Sequence, residues 1–209
     1  MTFIDQWLRS DIRNINAYHV PSAKNMLKMD AMESPFGVPE ELKDEFLEYI
    51  SRSEVNRYPD ASAEELHATL RKLMDIPKDF GVLLGNGSDE LIQLLSLACR
   101  SGDLIMSFEP SFVMYELVSK FAQLNYYGIP LDENFDIDLN ATLLAIKSKK
   151  PKLIFIAYPN NPTGNAFDYG VIREIIQSTD ALVVLDEAYY AYSERSFLAE
   201  IDNFSNLVV

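Results

Sequence analysis

A glycine turn and the helix predicted after it form the first group of residues that could bind a ligand. Gly85, Asn86 and Gly87 precede residues 88–100, whose apolar positions recur at helical spacing and predict a helix that begins at Ser88. Glycines let the backbone approach a ligand, and a helix N-terminus offers N–H donors and a positive dipole end. The pattern therefore favours an anion such as phosphate. In a purely structural interpretation, Gly87 makes the turn and Ser88 caps the helix.

A second group follows the apolar strand predicted at residues 153–158. Residues 158–164 read Tyr-Pro-Asn-Asn-Pro-Thr-Gly, and each proline restricts the residue before it, Tyr158 or Asn161, to extended geometry. Open α/β sheets bind ligands at the carboxyl ends of parallel strands, and an asparagine amide there can donate a hydrogen bond. A rigid turn in which asparagine bonds only to the local backbone explains the same residues.

The third group is an acid that ends a buried strand. Residues 181–185 are all apolar, and Asp186 follows them directly. Burying a carboxylate is unfavourable unless it meets a cation or a good hydrogen-bond donor. Asp186 therefore needs a partner, which a protonated ring nitrogen, a metal ion or an arginine could supply. A metal is disfavoured because the two histidines, His19 and His67, are far apart in sequence, and no Gly-x-Ser-x-Gly motif indicates a serine hydrolase.

Alternating helical and strand patterns position these groups from residue 62 onward. Strands are predicted at 81–84, 104–108, 126–129, 153–158, 181–185 and 206–209, and helices at 62–74, 88–100, 111–124, 139–149 and 168–178. The 62–74 helix starts with a capping-box pattern at residues 62–65. We predict an α/β fold, a three-layer α/β/α arrangement with a mostly parallel sheet. An N-terminal arm at 1–50, with a helix at 40–50, precedes the domain at 51–209.

Composition excludes several classes of partner. Among 209 residues, 18 Lys and Arg stand against 32 Asp and Glu, and the net charge of −14 repels nucleic acid and anionic membrane surfaces. Cys99 is the single cysteine, so no disulfide framework is expected. Charged residues near the N-terminus interrupt any signal peptide, and no apolar run approaches the roughly 20 residues of a membrane span. A cytoplasmic protein that binds a small molecule is expected.

The motifs resemble those of the fold-type I aminotransferases, which depend on pyridoxal phosphate. The matching segments are Gly-Ser-Asp-Glu at 87–90, Asn-Asn-Pro-Thr-Gly at 160–164, Asp-Glu-Ala-Tyr at 186–189, Arg-Tyr-Pro-Asp at 57–60, Glu-Pro-Ser-Phe-Val-Met-Tyr at 109–115 and Glu-Ser-Pro-Phe-Gly at 33–37. They occur in the family's order and spacing and cover nearly the whole chain. Within the family, the sequence is most similar to the histidinol-phosphate aminotransferases.

The resemblance implies a pyridoxal phosphate site formed by Gly87, Ser88, Asp89, Phe112, Asn161, Asp186, Tyr189 and Tyr58. The first three would hold the phosphate, and Phe112 would stack on the pyridine ring. Asn161 and Tyr189 would hydrogen-bond the 3-oxygen of the ring, and Asp186 would pair with its protonated nitrogen. Tyr58 would reach the phosphate bound by the neighbouring subunit, so a homodimer is implied.

The implied reaction exchanges an amino group between an amino acid or amino phosphate ester, such as histidinol phosphate, and a 2-oxo acid, in histidine biosynthesis. Glu33 would lie in the substrate region, where Met32 replaces an asparagine of the relatives. The family's Schiff-base lysine is expected past residue 209, so no catalytic residue is assigned and these residues alone should bind the cofactor weakly and without turnover. The alternatives are a lyase resembling threonine-phosphate decarboxylase and a non-catalytic dimerisation or cofactor-binding module.

Overall fold

The computed structural model describes residues 3–15, 22, 24–28, 32–193 and 195–209. Two compact units make up the chain: Met1–Ala17 with Leu83–Val209, and Tyr18–Val82. The first unit contains the sheet with the helices that cover it, and it begins with two short helices, α1 (Phe3–Trp7) and α2 (Ser10–Arg13). In the described part of the chain, no helix has the length and apolar character needed to cross a membrane.

The second unit contains two helices, α3 (Glu40–Arg52) and α4 (Glu64–Leu73). Both begin with two glutamates, and the last turn carries one basic residue in α3 and two in α4, which complements the helix dipole. The predicted capping box is wrong. Ala63, with a φ of 44°, precedes the first helical residue, and the Ser62 hydroxyl donates to the Asp60 carboxylate (2.8 Å) instead of capping the helix. A local turn has taken the side chain that the box requires.

Five parallel strands form the sheet of the first unit. They are β1 (Leu104–Glu109), β2 (Asn125–Pro130), β3 (Leu153–Ala157), β4 (Leu182–Asp186) and β5 (Leu207–Val208). Their order across the sheet is β2-β1-β3-β4-β5, and every pairing is parallel. The predicted α/β fold is confirmed, with β3 in the centre.

Helices cover both faces of this sheet. Helices α5 (Ser88–Leu97) and α6 (Met114–Phe121) contribute to the apolar core on one face, and α7 (Leu139–Lys149) and α8 (Tyr169–Gln177) contribute to the core on the other. The predicted three-layer arrangement is therefore confirmed.

The central strand shows why both faces are covered. Ile154 and Ile156 belong to one core, whereas Leu153, Phe155 and Ala157 belong to the other, and all five are buried. Successive side chains of a strand point to opposite faces, so a strand buried on both sides needs a continuous apolar run. This is the run that the sequence displays.

Residues 81–84, predicted as a strand, are not part of the sheet. Leu83 is 64% exposed, and no described strand pairs with the segment. An apolar run becomes a strand only where a neighbour completes its hydrogen bonds, and periodicity does not reveal that neighbour. The segment is instead a connection without regular structure that leads into α5.

Two aspartates set the starts of the helices on the second face. Asp138 accepts a hydrogen bond from the Ala141 N–H, and Asp168 accepts one from the Val171 N–H, each at 3.0 Å. Such N-caps satisfy donors that the first helical turn leaves unpaired. Lys150, with a φ of 50°, ends α7. The helix predicted at 139–149 is thus reproduced residue for residue.

Candidate functional site

The carboxyl ends of β3 and β4 form the centre of a cleft in the first unit. Ala157 and Asp186, the last residues of these strands, are register partners. Ligands of open parallel sheets bind at this edge. The cleft is lined by Ser88, Phe112, Tyr115, Ala157, Asn161, Asp186, Ala188 and Tyr189. Five of the predicted cofactor residues therefore meet in one place: Ser88, Phe112, Asn161, Asp186 and Tyr189.

Asp186 is a largely buried acid held by two neutral donors. Its Oδ2 accepts a hydrogen bond from the Tyr115 hydroxyl (2.8 Å), and its Oδ1 accepts one from the Ala188 N–H (3.2 Å). Burial raises the pKa of Asp186 above its usual value; the two donors lower it, and the charge of Asp89 raises it. None of the ion pairs among the described residues includes Asp186. A cationic ligand would therefore relieve an unfavourable charge here.

An aromatic cluster forms the wall of the cleft beside this acid. The partly exposed ring of Phe112 meets the ring of Tyr115 edge-on, with centroids 5.7 Å apart. Tyr115 in turn stacks on Phe155 of β3 at 4.8 Å and is fully buried. Phe112 thus presents an aromatic surface to the cleft, and its contact with Tyr115 connects it to the sheet.

The two neighbouring asparagines have different environments. Asn160 is fully buried; its amide group donates to the Pro110 carbonyl (3.0 Å) and the Thr163 hydroxyl (2.7 Å), and its side-chain oxygen accepts from Ser111 (2.9 Å). Asn161 lines the cleft, and no described residue hydrogen-bonds its side chain. The rigid-turn interpretation therefore fits Asn160, whereas the amide of Asn161 is available to a ligand.

The start of α5 leaves backbone donors uncapped. Gly87 precedes the first helical residue, Ser88, with φ 83° and ψ 171°, and no side chain caps the helix. The interpretation of Ser88 as a helix cap is therefore wrong. Ser88 lines the cleft, and the exposed Asp89 does not. The N-terminus of this ten-residue helix, which no side chain caps, suits an anion.

Two further predicted residues belong to the second unit. The side chain of Tyr58 is fully exposed. The carboxylate of Glu33 forms an ion pair with Lys28 at 2.8 Å.

The basic cluster around the start of β3 lies far from Asp186. Its lysines, at positions 147, 149, 150 and 152, precede the amino end of β3, whereas Asp186 ends the neighbouring parallel strand. Five strand residues at about 3.3 Å each separate these edges by roughly 15 Å. No group of three or more His, Cys, Asp or Glu side chains in the described ranges is arranged to hold a metal ion; His19 lies outside those ranges.

Sequence comparison assigns the family. The profile of "Aminotransferase class I and II" matches residues 24–209. The chain belongs to this family. The resemblance drawn from the motifs is therefore confirmed, and the cleft of this aminotransferase chain lies at the edge of the sheet where the motifs converge.

Similar proteins carry one recurring name. A histidinol-phosphate aminotransferase of Vesicomyosocius okutanii is 60% identical over all 209 residues, which make up 59% of that relative. Another, of Thiocapsa roseopersicina, is 48% identical over 88% of this chain and 98% of its own length. The chain thus spans little more than half the length of the first relative.

Solved structures share the fold. The histidinol-phosphate aminotransferase of Clostridium acetobutylicum is 27% identical, with a TM-score of 0.70 over 82% of this chain and 50% of its own. The enzyme of Sinorhizobium meliloti in complex with pyridoxal-5'-phosphate is 21% identical, with a TM-score of 0.66 over 77% of this chain and 43% of its own. At that identity, the second likeness concerns the fold alone.

Sequence reasoning missed Tyr115, Ala157 and Ala188 as parts of the cleft. Tyr115 lies three residues after Phe112 in a segment that matches the family, but its side chain lies on the apolar face of α6. A polar aromatic residue at such a position needs a hydrogen-bond partner. That requirement is the signal in the sequence that could have identified it.

Proposed function

We propose that this chain forms the pyridoxal-phosphate-binding part of an aminotransferase that exchanges an amino group between histidinol phosphate and a 2-oxo acid, a reaction of histidine biosynthesis. The convergence in one cleft of a partly buried acid that no described cation pairs with, an aromatic wall and an uncapped helix start carries this proposal. The names of the relatives support the amino donor.

The residues of the cleft fit the chemical groups of the cofactor. The phosphate matches the start of α5, where the space beside Gly87 is open: a Cβ built on this residue meets no atom within 4 Å. The protonated ring nitrogen matches Asp186, whose burial leaves a charge to be compensated. The 3-oxygen matches the amide of Asn161 and the hydroxyl of Tyr189, and the pyridine ring matches Phe112.

Each residue then has a defined task. Asp186 keeps the ring nitrogen protonated, because the ionised carboxylate stabilises a proton placed against it. Bound pyridoxal phosphate supplies an electron-accepting ring that stabilises negative charge at the substrate's α-carbon. Phe112 and Asn161 would hold the plane and the rotation of that ring, and the backbone N–H groups of Gly87, Ser88 and Asp89 would hold its phosphate at the helix start.

Further assignments belong to the same proposal. Tyr58 reaches the phosphate bound by a second subunit of a homodimer, and Glu33 lies in the substrate region. An arm at 1–50 precedes the cofactor domain at 51–209, and the protein works in the cytoplasm. Light scattering of the chain tests the dimer, and a monomer at micromolar concentration would contradict it.

Titration of the chain with pyridoxal phosphate tests the proposed site. We expect saturable binding that Asp186→Asn weakens by roughly 10- to 100-fold, since hydrogen bonds to charged groups contribute about 1.5–3 kcal/mol. Asp180→Asn is the matched control, because the exposed Asp180 precedes the opposite end of β4. No saturable binding, or equal binding by both variants, would contradict the proposal.

The covalent state of the cofactor tests a second part. The lysines near β3 lie at the far edge of the sheet, so we propose that these 209 residues bind pyridoxal phosphate without a covalent bond and without turnover. Borohydride reduction followed by intact mass measurement should give no adduct. A stable adduct on a residue at the carboxyl ends of the strands would refute this.

The choice of reaction has its own test. Histidinol phosphate should bind to the chain loaded with pyridoxal phosphate more tightly than threonine phosphate does, since the relatives are named for the former. Because these 209 residues alone are not expected to turn over, the reaction itself is assayed in a full-length form with both phosphorylated substrates. Release of CO₂ from threonine phosphate by that form would favour a decarboxylase in place of the proposed aminotransferase.

A further inference from the structure

Tyr115 connects the two walls of the cleft. Its hydroxyl donates to Asp186 at 2.8 Å, and its ring meets Phe112 edge-on at an interplanar angle of 85°. The same ring stacks on Phe155 of the central strand, almost parallel to it at 3°. One side chain therefore contacts the acid, the aromatic wall and the sheet beneath them.

We infer that Tyr115 is the positioning residue of this site: it fixes the Asp186 carboxylate toward the cationic nitrogen of an aromatic ligand and holds the Phe112 ring beside it. The inference rests on the proposed function and extends it to a residue that acts through two others.

The hydroxyl of Tyr115 restricts how the carboxylate can turn. Asp186 receives the Tyr115 bond on Oδ2 and the Ala188 N–H on Oδ1. Two donors on different oxygens define the plane of the group. A carboxylate has about four acceptor positions, so two remain for a ligand in the cleft. Without the hydroxyl, one oxygen would lose its only donor among the described residues, and the plane would no longer be fixed.

The surroundings of Tyr115 make this contact durable. The side chain is completely inaccessible to water, so no solvent molecule competes for its proton. Burial and the charge of Asp186 raise the pKa of Tyr115 well above its usual value. The phenol therefore keeps its proton, and remains a donor, at pH values at which an exposed tyrosine would ionise, and the stacking on Phe155 limits the tilt of its ring.

The first test uses the cofactor-free chain. Tyr115→Phe keeps the ring and removes only the hydroxyl. In a carboxyl ¹³C NMR titration, with the Asp186 signal identified by its loss in Asp186→Asn, the pKa of Asp186 should rise by roughly one unit or more, because a bond to the charged form is lost. An unchanged pKa would overturn the inference. Tyr126→Phe is the control: Tyr126 packs in the same apolar layer and does not line the cleft.

The second test separates positioning from general packing. Binding of pyridoxal phosphate is compared with binding of its 1-deaza analogue, which has carbon in place of the ring nitrogen. Tyr115→Phe should weaken pyridoxal phosphate about tenfold and leave the analogue nearly unchanged, whereas Tyr126→Phe should alter neither. Equal losses for both ligands would mean that Tyr115 serves only the packing and would overturn the inference. Failure of the unmodified chain to bind either ligand would refute the proposed function instead.

Discussion

The glycine before α5 offers a sharp test of how the backbone builds the end of the cleft where we propose that phosphate binds. Gly87 has φ 83° and ψ 171°, a region that residues with a Cβ hardly occupy. A Cβ built on Gly87 meets no atom within 4 Å, so Gly87→Ala introduces backbone strain without a clash. Strain of this kind amounts to about 1–3 kcal/mol. At about 2–4 °C per kcal/mol, a loss of 2 kcal/mol lowers Tm by roughly 4–8 °C.

Thermal and urea unfolding followed by circular dichroism measure this loss. Gly81→Ala is the matched control, since its Cβ also meets nothing within 4 Å and its φ lies outside the left-handed region. We expect Gly81→Ala to unfold like the parent chain. If Gly87→Ala is as stable as Gly81→Ala and binds pyridoxal phosphate equally well, the reasoning about this turn is refuted.

Two further predictions concern charge and helix capping. Burial raises the pKa of native Asp186, so the parent chain should lose stability as pH rises from the unfolded pKa of about 4 through the native pKa. Urea titrations at several pH values should show that the free energy of unfolding of Asp186→Asn increases relative to that of the parent over this range. A difference that stays constant with pH would contradict this. Asp138→Ala and Asp168→Ala should each lower the free energy of unfolding by about 1 kcal/mol. Unchanged urea midpoints would show that these caps add no stability.

The sequence predicted most of the first unit because its patterns are strong and local. The run at 153–158 is continuously apolar, as a strand covered on both faces requires, and Asp138 and Asp168 stand where two helices begin. The burial of the chain before Asp186 also indicated that this acid needs a partner. The site followed because parallel strands bring their carboxyl ends to one edge.

What the sequence did not predict depends on contacts between distant segments. Residues 81–84 have the composition of a strand but pair with no strand in the described part of the chain, and Ser62 bonds to Asp60 rather than to its helix. Asn160 and Asn161 are adjacent, yet only the fold separates a structural amide from one that faces the cleft. The bond between Tyr115 and Asp186 joins residues 71 positions apart, and no local pattern encodes it.

The spread of the cleft along the chain has a consequence for synthesis. Ser88 and Tyr189 line the same cleft although roughly 100 residues separate them. At about 5–20 residues per second, a ribosome needs roughly 5–20 s to make the intervening chain. During that time, no ligand of the cleft can select the correct sheet from partly folded states, and strand edges that lack their neighbours can pair with other chains. If the cleft binds the cofactor as proposed, cofactor supply can therefore stabilise a variant only after translation has passed residue 189.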